Sequence, residues 1–274
     1  MRGRKSDREK FAGAMHTYTI EAMMRDTKAL QSGTSHNLGQ NFAKASGIRF
    51  LSRTNTQEYA WTTSWGVSTR LIGTLIMAHG DEHGLVVPPR LAPIQVVVVP
   101  VRDEPEVMSA VHRIADELRH AGIRVRVDQG RGSFGRRVTD WEIKGIPVRC
   151  EVGPRDLADG LVTIARRDNG EKSAVPLDAV VTSIQATLDA QQTFILERAE
   201  DFLRERTVDV STVQDASAAA KEGFARVSFD VLRGEGEAKL RTEAITVRCL
   251  QRADGSMPDN EDEPGLIAIV GRSY

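Results

Sequence analysis

Apolar residues change their spacing several times along this chain, and each change predicts an element. Leu71, Ile72, Leu75, Ile76 and Met77 form a compact apolar cluster whose spacing fits one helical face. Gly80 and the Pro88-Pro89 pair stop that element, and Pro93 opens a new unit. Ile94 to Val99 is an apolar, β-branched run, the pattern of a strand buried on both faces. Glu104 to His120 carries apolar residues at 107, 111, 114, 115 and 118, which is helical spacing, and Gly122 is its natural stop. Ile123, Val125 and Val127 alternate with Arg124, Arg126 and Asp128, so a strand follows; Val148 to Val152 predicts another. Leu177 to Arg206 reads as one long helix or a broken pair. Beyond it, Ser211 to Ala220 looks like a polar linker, Ile245–Leu250 and Leu266–Val270 give strand signals, and Asp259–Glu263 is an acidic loop. The pattern therefore predicts three parts: residues 1–91, an α/β unit with a mostly parallel or mixed sheet over 92–206, and a small α+β domain over 207–274.

Composition narrows the function classes only a little. At 274 residues the chain has room for about two domains of ~150 residues each. Its net charge is −1, so a nucleic-acid surface, if present, must be local rather than general. No apolar run approaches the ~20 residues of a membrane span, and MRGRKSDREK leads into no apolar core that could make a signal peptide. Cys150 and Cys249 alone cannot build a disulfide framework or a four-cysteine metal site. These features predict a reduced, cytoplasmic protein.

Gly130-Arg131-Gly132-Ser133-Phe134-Gly135 formally satisfies the dinucleotide-binding pattern G-x-G-x-x-G. The reading fails on context. The glycines follow the second strand of their unit rather than the first. The helix after them can run only to Ile143 before Gly145-Ile146-Pro147.

Three segments point elsewhere. The first is Lys28-Ala29-Leu30-Gln31-Ser32-Gly33-Thr34-Ser35-His36-Asn37-Leu38-Gly39-Gln40-Asn41-Phe42, and the second is Thr63-Ser64-Trp65-Gly66-Val67-Ser68-Thr69-Arg70-Leu71-Ile72-Gly73. The third runs from Gly135 through Asp140-Trp141-Glu142-Ile143-Lys144-Gly145-Ile146-Pro147-Val148-Arg149-Cys150-Glu151 to Val152-Gly153-Pro154-Arg155-Asp156. Together they closely resemble prolyl-tRNA synthetase, a class II aminoacyl-tRNA synthetase, of the archaeal/eukaryotic-type branch. The resemblance extends from Lys10-Phe11-Ala12-Gly13-Ala14 to the terminal Gly271-Arg272-Ser273-Tyr274. The family's class II motifs 1 and 2 are absent from these residues.

The resemblance implies the following expectations. Residues 1–91 would be the last part of an antiparallel class II catalytic sheet with motif 3, residues 92–206 an α/β anticodon-binding domain, and 207–274 a C-terminal domain of the family. The reaction would activate L-proline with ATP, accompanied by Mg2+, and transfer it to tRNA(Pro); the full-length enzyme would be a homodimer. Arg70 would be catalytic, contacting the ATP phosphates, a task suited to a permanently charged planar guanidinium. Gln31 and Thr34 would contact the nucleotide, His36 would lie at proline, and Ser68 would contact ATP. Glu142, Lys144, Arg149 and Arg155 would meet unstacked anticodon bases and phosphates.

Four departures modify this picture. Thr27 replaces a glycine usual in the family, Glu82 replaces the second Asp of an Asp-Asp pair, and Arg137 replaces a Lys. The family's zinc cysteines are missing, with Arg233 and Ala238 near the first pair and none over Met257–Glu263, so no zinc is expected. Without the motif 2 arginine the chain is expected to be inactive alone, and residues 1–91 to be poorly ordered or aggregation-prone alone. The alternative is a truncated, non-catalytic paralogue that binds tRNA or associates with a synthetase.

Overall fold

A computed structural model describes residues 1–274. The chain divides into two compact units, Met1–Ala78 together with Asp201–Tyr274, and His79–Glu200.

The first unit begins with β1 (Arg2–Arg4), β2 (His16–Met23), β3 (Ala29–Gly39), α1 (Asn41–Ser46), β4 (Arg49–Leu51), β5 (Gln57–Tyr59), β6 (Thr62–Gly66) and α2 (Arg70–His79). The second unit holds β7 (Val96–Pro100), α3 (Pro105–His120), β8 (Val125–Val127), α4 (Phe134–Ile143), β9 (Val148–Val152), α5 (Pro154–Ala158), β10 (Leu161–Arg166) and β11 (Lys172–Pro176). A turn of 3-10 helix then leads into α6 (Val180–Glu205), which runs out of that unit. The chain returns to the first unit through β12 (Thr207–Val210), α7 (Val213–Ala219), β13 (Phe224–Ser228), α8 (Phe229–Leu232), α9 (Gly236–Thr242), β14 (Ile245–Gln251) and β15 (Ile267–Arg272).

In the second unit the strand order is β11-β10-β9-β7-β8. β7 lies parallel to both β8 and β9, while β10 and β11 run antiparallel, giving the mixed sheet the periodicity predicts. All five residues of β7 are buried, because a strand flanked on both sides and covered on both faces has no wet side. Helix α3 starts with Pro105 in its first turn, where the missing N–H costs nothing, and ends with Arg119 and His120 near its negative pole. Its buried stripe of Val107, Ala110, Val111, Ile114, Ala115 and Leu118 packs against Val96, Val98, Val148 and Ile164. The opposite face is covered by Trp141 of α4, which meets Val97, Val99 and Ile146.

The first unit corrects the expectation of separate N- and C-terminal domains. Its sheet has eight strands in the order β12-β13-β15-β14-β1-β2-β3-β6. The short β1 sits between β14 and β2 and pairs antiparallel with both. Residues 207–274 are thus the other half of the sheet begun at the N-terminus, and they cover an edge that 1–91 alone would leave open. Two local readings also change. Ser211–Ala220 is largely the helix α7, whose Thr212 cap accepts from the Asp215 N–H and whose Ala216 and Ser217 are buried. The apolar residues of α2 do form a helix, but none of its side chains is buried, and Ile72 is 65 % exposed.

The sheet's two halves are tied by a buried carboxylate. Glu21, 0 % exposed, accepts from Lys5 Nζ at 2.7 Å, from Thr19 Oγ1 at 2.8 Å, and from Arg248 Nη2 and Nε at 2.8 and 3.1 Å. Burial pushes its pKa up, but Lys5 and Arg248 outweigh burial and hold it below the usual carboxylate range. Replacing Glu21 by Gln leaves two buried cations short of a counter-charge and should cost about 3 kcal/mol or more in denaturant unfolding. The ionised carboxylate stabilises the fold above the ordinary carboxylate pKa and stops doing so as pH falls through its depressed folded value. E21Q should therefore flatten the acid limb of stability against pH; an unchanged limb and midpoint would show that the cluster contributes little.

The β2–β3 turn carries a local backbone strain. Thr27 has φ 66°, a left-handed conformation that suits glycine and crowds a β-branched side chain. Thr27→Gly should relieve it and raise stability by about 1 kcal/mol. A lower melting temperature for T27G would mean that the threonine side chain contributes more than its backbone strain costs.

Candidate functional site

Strand β3 lies between β2 and β6. In its pairing with β2, His36 faces Thr17, Thr34 faces Thr19, and Gln31 faces Glu21. Thr17, Thr19 and Glu21 alternate along β2 and so share one face of the sheet. Their partners Gln31, Thr34 and His36 share it too. That is not obvious from spacing, since 31 and 34 differ by an odd number. A bulge between Ile20 and Glu21 leaves Ser32 without an opposite residue and shifts the phase by one.

His36 is held in a defined state. Thr17 Oγ1 lies 2.9 Å from His36 Nδ1 and accepts the Phe11 N–H at 3.1 Å. The Phe11 ring stands 4.8 Å from the imidazole, and desolvation lowers the His36 pKa. The ring is therefore neutral at physiological pH, with one nitrogen a donor and the other an acceptor.

Across β3, Gly66 of β6 pairs with Thr34, and Ser64 with His36. A Cβ at Gly66 would come 3.4 Å from Thr34 Oγ1, so glycine keeps the space beside that hydroxyl open. The chain then turns through Ser68, whose Oγ accepts the Arg70 N–H at 3.3 Å. Arg70 is exposed at the head of α2 and makes no ion pair. Tyr274 donates its hydroxyl to Asp26 at 2.5 Å, with Lys28 4.8 Å above its ring. Burial and the Asp26 carboxylate push its phenol up to about 12.

The second unit presents a different polar surface. Arg149 and Glu151 alternate with Val148, Cys150 and Val152 along β9, so both lie on the face of Val97 and Val99, their partners on β7. Thr163 and Lys172 share that face through the β9–β10–β11 register. Helix α4 ends beside it with Glu142. The charges form a chain: Arg149 Nη1 to Glu142 at 2.9 Å, Arg149 Nε to Glu151 at 3.4 Å, and Lys172 Nζ to Glu151 at 2.9 Å. Thr163 donates to Asp156 at 3.1 Å.

The four expected RNA contacts are thus divided. Glu142 and Arg149 are brought together. Arg155 is exposed on α5. Lys144 lies 4.3 Å over the Trp141 ring. Arg149 departs from the expectation of an accessible donor, because it is buried between two carboxylates; its two neighbours need its charge to lie inside the fold. Glu151, Asp156, Thr163 and Lys172 escaped sequence reasoning, although the polar alternation within Val148–Val152 signalled a face needing partners. Asp81, which precedes Glu82 in the sequence, forms a bidentate pair with Arg167 at 2.5 and 2.7 Å. Arg167 lowers its pKa to about 2.

Where the family's metal cysteines would fall, guanidinium groups cross-link the backbone instead. Arg233 pairs with Asp230 at 3.2 Å and donates to the Glu261 carbonyl. Arg252 binds Glu263 at 2.7 Å, Asp259 at 3.0 Å and the Met257 carbonyl at 2.7 Å. Cys249 is buried, with its thiol pushed up to about 12 by burial and then Glu21, and no group of three or more His, Cys, Asp or Glu side chains is arranged to hold a metal. A chelator should leave the melting temperature unchanged, whereas high salt, which screens exposed pairs, should lower it. A chelator-dependent drop would contradict this.

The family described as "Anticodon binding domain" matches residues 95–187. Over 99 % of its length the chain is 55 % identical to proline–tRNA ligase of Frankia alni and spans 58 % of that protein. It is 50 % identical to proline–tRNA ligase 2 of Streptomyces avermitilis, again across 58 % of the relative. Against proline–tRNA ligase of Chlorobium phaeobacteroides it is 47 % identical, covering 98 % of this chain and 57 % of the relative. The matched residues 95–187 lie within the second unit, which is thus similar to an anticodon-binding domain. The resemblance to prolyl-tRNA synthetases holds along essentially the whole chain, which spans somewhat more than half the length of those curated relatives.

Proposed function

We propose that this chain supplies the motif 3 half of a proline–tRNA ligase active site together with the domain that reads the tRNA(Pro) anticodon. The observation that carries the reading is the convergence of Gln31, Thr34 and His36 on one sheet face, in a chain 55 % identical to a proline–tRNA ligase. In the reaction a carboxylate oxygen of L-proline attacks the α-phosphorus of ATP, and the bond to pyrophosphate breaks. The terminal adenosine hydroxyl of tRNA(Pro) then attacks the prolyl carbonyl and AMP leaves. Arg70 faces the phosphates, with Ser68 beside it, Gln31 and Thr34 meet the nucleotide, and neutral His36 lies at proline without adding charge. Magnesium enters with ATP. Glu142 and the exposed Arg155, with the neighbouring Lys172 and Asp156, meet the anticodon loop, while buried Arg149 acts through the Glu142 and Glu151 carboxylates that it holds in place.

The non-catalytic reading keeps two observations in its favour: α2 buries none of its side chains, and β6 is an open edge of the sheet. Nothing before Arg70 in these 274 residues supplies the second arginine that the class II scheme puts on the α-phosphate. One such donor is typically worth ~10²–10³ in rate. The chain alone should therefore give no proline-dependent ATP–pyrophosphate exchange. Joined to the rest of the F. alni enzyme's length it should give exchange that prefers proline and is lost in Arg70→Ala. Preference for another amino acid would refute the assignment, and robust exchange by the 274-residue chain would refute the need for a complement. In gel-shift titration, tRNA(Pro) should bind more tightly than an anticodon-swapped version, and Glu142→Gln should narrow the difference.

A further inference from the structure

We propose that the cavity at the free edge of β8 binds phosphate groups, as a contact for the RNA backbone separate from the polar sheet face beside Glu142. The proposal rests on the reading of the second unit as a tRNA binder.

β8 is the last strand of its sheet, with no neighbour on its outer side. A cavity of about 600 Å³ lies there, lined by β8, the Gln129–Gly130 loop and side chains of α3 and α4. That is large enough for a nucleotide. Its charge is positive in a chain of net charge −1. Arg126 is exposed on β8 and pairs with no carboxylate; Lys144 is exposed and touches only the Trp141 ring. Arg119 adds a third cation, paired only with the exposed Asp116 on its own helix.

The acids do not cancel them. Asp128 is buried and fully engaged, accepting from Arg137 Nη1 at 2.6 Å, Trp141 Nε1 at 2.9 Å and the Gly130 N–H at 3.2 Å. Asp140 is the remaining carboxylate in the lining. Arg137, 6 % exposed, also lines the cavity, and its Nε is a buried donor with no acceptor. That nitrogen is closed off from the cavity, so the exposed Arg126, Lys144 and Arg119 carry the contacts to an anion. Gly130 permits this arrangement: a Cβ there would sit 3.1 Å from Asp128 Oδ1 and 3.4 Å from the Arg137 side chain. The loop is thereby drawn onto the Asp128–Arg137 pair, at the cavity's rim. Guanidinium and ammonium groups spaced around an open cavity are the chemistry of phosphoryl recognition.

The test uses the whole 274-residue chain and Arg126→Glu, with Arg126→Lys as the conservative control. Affinity for a tRNA(Pro) transcript is read by fluorescence anisotropy between about 50 and 200 mM salt. R126E should bind about tenfold more weakly at the low end, with the slope of log K against log salt reduced by about 1, while R126K stays near wild type. The ratio between tRNA(Pro) and its anticodon-swapped version should not move in R126E. Inorganic phosphate should shift the Trp141 indole N–H resonance in the wild type and not in R126E. An unchanged affinity and slope in R126E overturns the proposal. So does phosphate or ATP binding at the cavity with tRNA affinity unaffected, which would assign it to free nucleotides. Equal wild-type affinity for the two tRNAs would instead strike the anticodon reading on which the proposal rests.

Discussion

A single carboxylate, Glu21, holds together parts of the chain separated by most of its length. Lys5 follows β1, Glu21 lies on β2, and Arg248 lies on β14, so their contacts span the junction between the N-terminal and C-terminal halves of one sheet. Burying a carboxylate with two cations is expensive unless every lone pair and donor is used, and here Thr19 supplies a further donor to it. β1 has three residues and could not anchor a sheet by its backbone alone. The ionic cluster gives that short strand a fixed register, and β14 and β15 then extend the sheet on the side where residues 1–91 would otherwise end.

The same register determines the candidate substrate face. Glu21 sits immediately after the bulge that returns Gln31 to the side of Thr34 and His36. Without the bulge Gln31 would fall on the other face, since a strand alternates with period two. The cluster that joins the halves therefore also borders the point where the face is phased. Stability and site geometry are coupled through one residue that touches neither candidate substrate.

Much of the second unit was legible in the sequence because its signals are local. β-Branched runs, the 3.6-residue stripe of α3 and the alternation in Val148–Val152 each announce an element without knowledge of the rest. The first unit was less legible for a physical reason. Its sheet is made by pairing residues about 250 positions apart, such as Arg4 with Leu250, and no local period reports such a partner. Ser211–Ala220 misled because its small polar residues resemble a linker, whereas Ala216 and Ala220 pack into a core with Phe229, Leu232 and Leu240. The site residues on β3 were visible by resemblance, but their common face depended on a bulge that spacing concealed. Arg149 was visible as a charge and not as a buried one.

The exposure of α2 carries the final step. A helix whose apolar positions recur at 71, 72, 75 and 76 has a face built for burial, yet Leu71, Ile72, Ile76 and Met77 all remain exposed here, as do Trp65 and Val67 just before it. An amphipathic helix derives most of its stability from packing that face. The helix that presents Arg70 is thus the least supported element bearing a candidate catalytic group. On the proposed reading, Arg70 gains a fixed position only when something covers the apolar side of α2. Covering that side would both order the helix and bring in the second cation that the chemistry requires. Folding of this corner and assembly of the phosphate-binding half-sites would then be one event, with activity appearing only when both halves are present.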